Sequence, residues 1–338
     1  MTSRARVAIH GFGRIGRQTF KNLLEGYADR IEVVAISLEQ ASDARSAAHL
    51  LKYDSTYGND PADISLDGDR LRVNGYAIPL VTASSTAELP WAALRVDVVI
   101  DASGAFGDAE GARGHLQAGA KRVVVAAPCD GADFTMIYGV NHADFDPATH
   151  HIVSTSSDTT NCLAPLVRVL EDAFGIESAL MTAVHAYTNE QKLIDAPDEN
   201  LRRARSAPTS IVPTTTRADK AIGQVYPDLA GRVSGYAVRV PVPSVSILQV
   251  TAHLRAEPSV ADVNAAFREA AASRFGEVLA VVEEPLVSSD FRGCRSSAVL
   301  DALTTLVNGP LVKVAAWYDN EAGYAWRVAD VTATVAEV

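Results

Sequence analysis

The feature that most restricts the fold is a glycine-rich hexapeptide near the N-terminus, Gly11-Phe12-Gly13-Arg14-Ile15-Gly16. It follows a short apolar run at residues 7–10 and opens a helix-like pattern at residues 15–24. In a βαβ unit such a loop makes a tight turn, lets the backbone approach a pyrophosphate and presents the N–H groups of a helix N-terminus. The segment therefore predicts dinucleotide binding, although an ordinary glycine-rich βα turn is the alternative.

The first half of the chain continues the same alternation of strands and helices. Short β-branched runs alternate with helical patterns, which is typical of a parallel sheet and an α/β domain. One pair of runs, at residues 71–80, instead predicts a hairpin with Asn74-Gly75 as its turn. The other predicted strands are residues 7–10, 31–36, 96–101 and 121–127, and the predicted helices are residues 15–24 and 109–118.

The second half has a different texture after about residue 157. A polar stretch at residues 190–223 is dense in Arg, Thr and Pro, and a structureless segment of that length is usually functional. The longer strands that follow it predict a mixed or antiparallel sheet with helices on one face. The predicted strands are residues 179–187, 232–240, 244–255 and 311–318, and the predicted helices are residues 158–174, 260–272 and 321–338.

Composition excludes several classes of protein. The length of 338 residues predicts two domains, and the net charge of −11 disfavours binding to nucleic acid or to anionic membranes. Three cysteines imply no disulfide framework and indicate a reducing cytoplasm, and no Cys or His spacing predicts a metal site. The sequence has no apolar run of transmembrane length and no recognisable secretory signal.

A dinucleotide-binding loop also predicts an acidic residue about 20 positions further on, which holds the ribose hydroxyls. Glu39, after the second predicted strand, is the available acid. A carboxylate at this place would favour NAD and repel a 2′-phosphate. If Glu39 faces solvent, NADP becomes possible and Arg45 could assist. The cofactor is therefore expected to be NAD or NADP.

Seven segments, in order along the whole chain, resemble the glyceraldehyde-3-phosphate dehydrogenase family. The segments are GFGRIGR at 11–17, HLLKYD at 49–54, TTNCLAP at 159–165, VHAYTN at 184–189, LRRARS at 201–206, RVP at 239–241 and WYDNE at 317–321. The resemblance implies an N-terminal Rossmann-type dinucleotide-binding domain at residues 1–157 and an α+β catalytic domain with a mixed sheet at residues 158–320. It also implies that residues 321–338 form a helix returning to the first domain, and that the protein is a homotetramer.

The resemblance also implies roles for individual residues. His185 resembles the catalytic histidine, and Asn320 the residue that orients the nicotinamide carboxamide. The segment that contains Ser103 and Gly104 resembles a cofactor-contacting loop. Arg203, Arg205, Arg239 and the threonines at 214–216 supply guanidinium and hydroxyl donors that suit oxyanions. For the arginines, structural pairing with Asp and Glu is the alternative. Residues matching substrate or phosphate sites, or lying beside them, are Ser157, Thr159, Thr188, Arg203, Thr216, Arg217 and Arg239.

The sequence departs from the family at its centre. Asp158 stands where the family keeps its nucleophilic cysteine. Cys162 lies about one helical turn further on, so it cannot occupy the same point and is expected to be a small buried hydrophobe. Asp158 is expected to cap the helix, or to lie near His185, where it could orient the imidazole or accept a proton. A carboxylate is a poorer nucleophile than a thiolate, so no thioester is expected.

Three explanations of Asp158 remain open from the sequence. The chain can run a hydride transfer without a covalent intermediate, be a non-catalytic nucleotide-binding homologue, or be an inactivated dehydrogenase. Further departures from the family favour a diverged paralogue with a different substrate. They include His10, Leu38, Arg217, Gln249, Ala322 and Trp326. The leading hypothesis is a cytoplasmic NAD(P)-dependent oxidoreductase acting on a small phosphorylated or otherwise anionic carbonyl compound.

Overall fold

The chain forms two compact units in a computed structural model that describes residues 4–39, 44–105 and 108–337. The first unit comprises Met1–Ser156 together with Ala325–Val338, and the second comprises Ser157–Tyr324. Within the described ranges, none of the helices combines the length and the apolar character that spanning a membrane requires.

The first unit is built on a nine-stranded sheet with the order β10-β11-β9-β8-β1-β2-β7-β6-β5. All neighbours from β10 to β7 pair in parallel, and β5, β6 and β7 form an antiparallel meander. The strands of this unit are β1 Ala5–His10, β2 Ile31–Ser37, β3 Tyr53–Asp54, β4 Gly58–Asn59, β5 Ile64–Asp67, β6 Arg70–Val73, β7 Tyr76–Val81, β8 Val98–Asp101, β9 Arg122–Val125, β10 Phe134–Thr135 and β11 Ile152–Ser154; its helices are α1 Arg14–Gly26, α2 Ala44–Lys52 and α3 Ala109–Gln117.

The sheet places a binding crevice at the end of β1. β2 lies on one side of β1 in the sheet, and β8, which comes later in the chain, lies on the other side. The strand order therefore reverses at β1. Ligands of open α/β sheets bind at the carboxyl ends of the strands beside such a reversal. The central strands are apolar because they are covered on both faces, and Val7, Ala8 and Ile9 are fully buried.

The sequence predictions for this unit are confirmed in kind and in place. The predicted hairpin appears as β6 and β7, joined at Asn74 and Gly75, both of which have positive φ. The strand predicted at 96–101 begins two residues later, at Val98, and the side chain of the preceding Asp97 accepts the backbone N–H of Arg6 at 2.8 Å.

The second unit contains an eight-stranded mixed sheet with the order β13-β14-β12-β15-β19-β17-β16, and β18 pairs with β19. β12 pairs in parallel with β14 and antiparallel to β15, which confirms the predicted mixed sheet. The elements after residue 157 are α4 Asp158–Phe174, β12 Ile176–Ala186, β13 Val212–Thr214, α5 Ala218–Val225, β14 Val233–Val240, β15 Ser246–Leu254, α6 Val260–Ala272, β16 Leu279–Val282, β17 Ala298–Asp301, β18 Leu306–Asn308, β19 Leu311–Tyr318 and α7 Ala322–Ala336.

The polar stretch at residues 190–223 is not structureless, which corrects that expectation. It contains β13, a 3₁₀ turn at Ala207–Thr209 and the start of α5. The β-branched Val212 pairs opposite Arg239 of β14, so part of the stretch is an edge strand of the sheet. This strand was not predicted because the segment is polar, and only Val212 of its three residues is buried.

Candidate active site

The start of α4 positions the first functional side chain. Ser157 is the N-cap, and its hydroxyl accepts the backbone N–H of Thr160 at 3.1 Å. Asp158 is therefore the first residue of the helix, and the prediction that it is the N-cap was wrong. One carboxylate oxygen, Oδ1, still accepts the N–H of Thr159 at 2.7 Å. The positive end of the helix dipole favours the ionised carboxylate at this position.

The sheet positions the other two functional side chains. His185 on β12 and Arg239 on β14 lie directly opposite each other in the parallel register. His185 is buried, and its Nε2 lies 2.9 Å from Oδ2 of Asp158, whose side chain is 20% exposed. The structure thus brings Asp158, His185 and Arg239 together, as the sequence suggested for the first two residues.

The hydrogen bonds of His185 indicate which of its two ring nitrogens carries a hydrogen. Because Asp158 is an ionised acceptor, Nε2 carries a hydrogen and donates to Oδ2. The other nitrogen, Nδ1, contacts the guanidinium of Arg239, which only donates, and lies 2.7 Å from the carbonyl oxygen of Ala186, which only accepts. Nδ1 therefore has a partner both when it is unprotonated and when it is protonated.

The same contacts explain the ionisation of Asp158. Burial acts to raise the pKa of this carboxyl, but the charge and hydrogen bond of His185, the charge of Arg239 and the N–H of Thr159 outweigh burial. The net effect is a pKa below the ordinary value, so the carboxylate is ionised at neutral pH. A half-buried, ionised carboxylate with a cationic neighbour can hold a proton donor or a cationic imidazole in place.

Cys162 has none of the properties of a nucleophile. Its side chain is fully buried one turn into α4, and burial, together with the charge of Asp158, raises the pKa of its thiol. The reactive form of cysteine is the thiolate, which this environment disfavours. The expectation that Cys162 is a small core residue is therefore supported by its position. Nearby, Tyr318 Oη lies 3.0 Å from Thr159 Oγ1, and burial raises the pKa of that phenol.

Two of the predicted anion-binding arginines converge on one point. Arg239 and Arg203 reach the same carboxylate oxygen of Glu190, at 3.9 and 4.0 Å, and Arg203 Nε also donates to Thr214 Oγ1 at 3.2 Å. Glu190 is largely exposed. Because a single carboxylate oxygen lies within reach of both guanidinium groups, the two arginines can serve one anion. The sequence reasoning did not single out Glu190.

Other predicted residues are placed differently. The side-chain oxygen of Thr188 is buried and, among the described residues, has no hydrogen-bond partner, which suits a ligand-binding hydroxyl. Thr216 accepts the N–H of Ala218 at the start of α5, where the exposed Arg217 is the N-cap residue. Arg205, which lies in the same basic segment as Arg203, instead pairs with Asp195 at 2.9 Å. The structural alternative is therefore correct for Arg205.

Asn320 is held by a residue that the sequence reasoning missed. Ser246 Oγ accepts the backbone N–H of Ala186 at 3.0 Å and donates to Oδ1 of Asn320 at 3.0 Å. Since its oxygen is used in this way, the amide of Asn320 is oriented with its NH₂ group directed elsewhere. A serine in a strand carries no sequence signal for this role.

The glycine-rich loop of the first unit fits a dinucleotide. Gly11 has a φ of +85°, and a Cβ there would lie 2.5 Å from the backbone of Ser103; a Cβ on Gly16 would lie 2.2 Å from the carbonyl oxygen of Gly11. A Cβ on Gly13, the N-cap residue of α1, would meet nothing within 4 Å. Two glycines thus permit close packing, and the third leaves open space at the helix N-terminus for a phosphate group.

The remaining loop residues divide between packing and exposure. Phe12 is buried against Phe20, so its side chain belongs to the core and only its backbone can face a ligand. Arg14 forms an ion pair with Asp54 at 3.3 Å, and Ile15 is half-buried.

The remaining predicted cofactor contacts lie at the ends of β2 and β8. Ser103 donates through both its N–H and its hydroxyl to Asp101, at 3.1 and 2.7 Å, and Gly104 is exposed with a φ of +71°. Glu39 is exposed, and the preceding Leu38 is buried. This is the arrangement in which NADP is possible beside NAD.

Comparison with known proteins agrees with this architecture. Residues 5–109 match the family model "Glyceraldehyde 3-phosphate dehydrogenase, NAD binding domain", and residues 157–320 match "Glyceraldehyde 3-phosphate dehydrogenase, C-terminal domain". The chain is 47% identical over 332 residues to the glyceraldehyde-3-phosphate dehydrogenase of Geobacillus stearothermophilus. It is 45% identical over 333 residues to glyceraldehyde-3-phosphate dehydrogenase 1 of Bacillus subtilis, and 46% identical over 330 residues to glyceraldehyde-3-phosphate dehydrogenase 2 of Streptomyces arenae.

Each of these three alignments covers 98% of this chain and 98% of the relative. The first matched range lies within the unit that contains the glycine-rich loop, and the second lies within the mixed-sheet unit that contains the Asp158–His185 pair. The chain belongs to the glyceraldehyde-3-phosphate dehydrogenase family of NAD(P)-dependent oxidoreductases.

Proposed function

We propose that this chain catalyses an NAD(P)-dependent hydride transfer on a small phosphorylated or otherwise anionic carbonyl compound, without a thioester intermediate. The observation that carries the proposal is the 2.9 Å contact between Asp158 Oδ2 and His185 Nε2 beside Arg239. Asp158 and His185 can transfer a proton, and Arg239 beside them is a cation that can bind an anionic substrate. Oxidation of an aldehyde hydrate and interconversion of an alcohol and a carbonyl both need these two functions.

The pair handles the proton that leaves the substrate hydroxyl. In the resting state Asp158 is ionised and His185 carries its hydrogen on Nε2. When the pair gains a proton, the proton is carried on His185 Nδ1, and the contact of Nδ1 with the Arg239 guanidinium opens. The resulting imidazolium donates from Nε2 to Asp158 and from Nδ1 to the carbonyl of Ala186, 2.7 Å away. The carboxylate stabilises this cation, as acidic residues do for catalytic histidines in general. Bound nicotinamide supplies the hydride acceptor or donor.

The glycine-rich loop, Ser103 and Gly104 would hold the cofactor, and Asn320 keeps its assignment to the nicotinamide carboxamide. The open space beside Gly13 supports pyrophosphate binding by the loop. The hydrogen bond from Ser246, which fixes the amide of Asn320, supports the role of Asn320 at the carboxamide. Glu39 is exposed, so it would not act as a buried acid that repels the 2′-phosphate of NADP. The proposal therefore includes NADP as well as NAD.

Anion binding is assigned to Arg203 and Arg239, with Thr188 beside them. Glu190 supports the assignment, because its carboxylate lies near both arginines as a substrate phosphate would. Charge-assisted bonds from guanidinium groups to oxyanions are strong, and a buried hydroxyl such as that of Thr188 gains a partner when the anion binds. Thr216, Arg217, Ser157 and Thr159 stay candidates for weaker contacts.

The absence of a thioester is tested by combining kinetics with intact-mass analysis. The purified protein is incubated with NAD or NADP and a panel of phosphorylated aldehydes, ketones and alcohols that includes glyceraldehyde 3-phosphate, and reduced cofactor is followed by absorbance. Turnover of at least one compound with no acyl adduct on the chain after acid quenching is the expected result. A trapped acyl adduct would contradict the proposal. Tight cofactor binding without turnover of any compound would favour a non-catalytic, regulatory protein.

We also propose that the protein is a homotetramer in the cytoplasm. Four large apolar side chains of the polar segment are between 71% and 82% exposed, namely Leu193, Ile194, Leu201 and Ile211. Contact of this apolar surface with water is unfavourable. Burial against further copies of the chain would remove this cost. Cys129, Cys162 and Cys294 are thiols, the state that a reducing compartment maintains.

The oligomer is tested by sedimentation velocity. The wild-type chain is expected to sediment as a tetramer, and Ile194→Asp to shift the distribution toward smaller species, because a charge would enter an apolar contact. Glu177→Gln is the control, since it changes an exposed residue paired with His253. A monomeric wild-type protein at micromolar concentration would contradict the proposal.

A further inference from the structure

Three polar side chains meet where the glycine-rich loop begins. His10, Ser37 and Asp101 are the last residues of β1, β2 and β8, and the parallel register places His10 beside both of the others. His10 Nδ1 lies 3.1 Å from Ser37 Oγ, and its ring packs edge-on against that of His115 from α3. The residue after His10 is Gly11, the first glycine of the phosphate-binding loop.

The buried carboxylate at this place is held by a defined set of donors. The indole N–H of Trp91 donates to His115 Nδ1 at 3.0 Å, and an indole nitrogen only donates. His115 Nδ1 is therefore unprotonated, so Nε2 carries the hydrogen and faces Asp101 Oδ2 at 3.4 Å. Ser103 supplies two further hydrogen bonds to Oδ1. These bonds and the charges of His10 and His115 outweigh burial, which leaves the pKa of Asp101 below its ordinary value.

The cluster suits a proton better than a metal ion. One ligand atom each from His10, Asp101 and His115 lie within 4.8 Å of one another. A metal ion on His115 Nε2, however, would displace the hydrogen that the Trp91 bond requires there, or force that bond to break. No metal-ligand spacing is predicted from the sequence at these positions, and the hydrogen bonds give a reason to assign the cluster another role.

His10 is the residue of this cluster whose protonation state is not fixed by the hydrogen bonds described above. Burial lowers the pKa of His10, the charge of Asp101 from β8 raises it, and His115 from α3 lowers it again; β2 contributes the uncharged Ser37. The net pKa lies below the ordinary value, so the imidazole is largely neutral at pH 7. The ionised Asp101 is then a negative charge close to the loop that receives a dinucleotide.

Binding of a diphosphate changes this balance. Two further negative charges would arrive at the loop that starts one residue after His10, and their attraction favours the imidazolium form. This attraction is stronger in a partly buried site than between exposed charges, because the effective dielectric constant is lower than that of water. The imidazolium would in turn offset the repulsion between Asp101 and the diphosphate.

We infer that His10 is a cofactor-binding residue that takes up a proton when the dinucleotide binds. The sign of the pH dependence follows from this linkage. A group that is more basic in the complex strengthens binding at low pH, and this contribution is lost as pH rises through the pKa of the complex. Affinity for the dinucleotide is therefore expected to fall with rising pH, by up to about tenfold per pH unit where one proton is linked.

The inference is tested by calorimetric titration with NAD and with NADP, without substrate. Titrations near pH 7 in two buffers with different ionisation enthalpies give the number of protons taken up. The wild-type chain is expected to take up a substantial fraction of one proton. His10→Asn, and His10→Gln as a second variant, are expected to bind with no uptake and a flat pH profile of affinity. His253→Asn, which changes an exposed histidine of the second unit, is the matched control and keeps the uptake.

Two results would overturn the inference. The first is a wild-type chain that binds with no proton uptake. The second is an unchanged uptake in both His10 variants, which would assign the proton to another group. If neither dinucleotide binds, the glycine-rich loop assignment fails as well, and that case is recognised because no binding heat appears in either buffer.

Discussion

Asp158→Cys is expected to create phosphorylating dehydrogenase activity toward glyceraldehyde 3-phosphate, with a gain of at least roughly 10³-fold over the parent chain. The new thiol would replace the carboxylate at the first position of α4, where His185 Nε2 now lies 2.9 Å from Asp158. A helix N-terminus and an adjacent histidine both lower the pKa of a thiol and favour the thiolate. The measurements are the rate of cofactor reduction with inorganic phosphate present and the mass of an acyl adduct.

Asp158→Ser is the matched control, because a hydroxyl of similar size is a far weaker nucleophile at this position. It is expected to form no adduct. If Asp158→Cys binds cofactor as the parent does and yet gains no activity, the anion sites themselves have diverged. The proposed shared role of Arg203 and Arg239 would then need revision.

His185→Ala is expected to lower turnover on whatever substrate the parent accepts by about 10² to 10⁴-fold, the usual contribution of a positioned acid–base group. Cofactor affinity should change little, because the proposed role of His185 is proton transfer to or from the substrate, whereas the glycine-rich loop is assigned to the pyrophosphate. The measurements are kcat by absorbance of the reduced cofactor and Kd by calorimetry.

The control for this prediction is His185→Gln, whose amide can still donate to Asp158 but cannot hold an additional proton. A loss of turnover similar to that in His185→Ala would assign proton transfer to the ring. Recovery of most of the activity would limit His185 to orienting the carboxylate. Unchanged turnover in both variants would remove His185 from the mechanism.

The sequence was sufficient where a pattern reflects burial or backbone geometry. The β-branched runs around Val7–Ile9 and the Asn74-Gly75 turn predicted their elements because strands buried on both faces and type I′ turns restrict residue type strongly. α4 was predicted with its bounds unchanged. The approach of Asp158 to His185 was also suggested, since both positions matched segments of one family.

Other features depend on contacts between distant segments and leave little local signal. The sequence could not show that Arg205 pairs with Asp195, while Arg203 reaches Glu190, because both arginines lie in one basic segment. The cap of α4 was misplaced by one residue because Ser157 and Asp158 are both good capping residues.

The cluster around His10 was not found because its members come from β1, β8 and α3, far apart along the chain. The one local sign was that His10 differs from the residue expected before the glycine-rich loop. Only the folded sheet brings these residues to one edge.

The pairing of His185 with Arg239 across two parallel strands has a consequence for substrate choice. Neighbouring strands are separated by about 4.8 Å, and their hydrogen bonds keep that spacing nearly constant. Under the roles proposed for His185 and Arg239, this spacing would set the distance between the carbonyl carbon that reacts and the first anionic group of the substrate. Changes in the loops around Arg203 or Arg217 would then alter contacts at the far end of the substrate, whereas a change in the first distance would require a different pairing of β12 and β14.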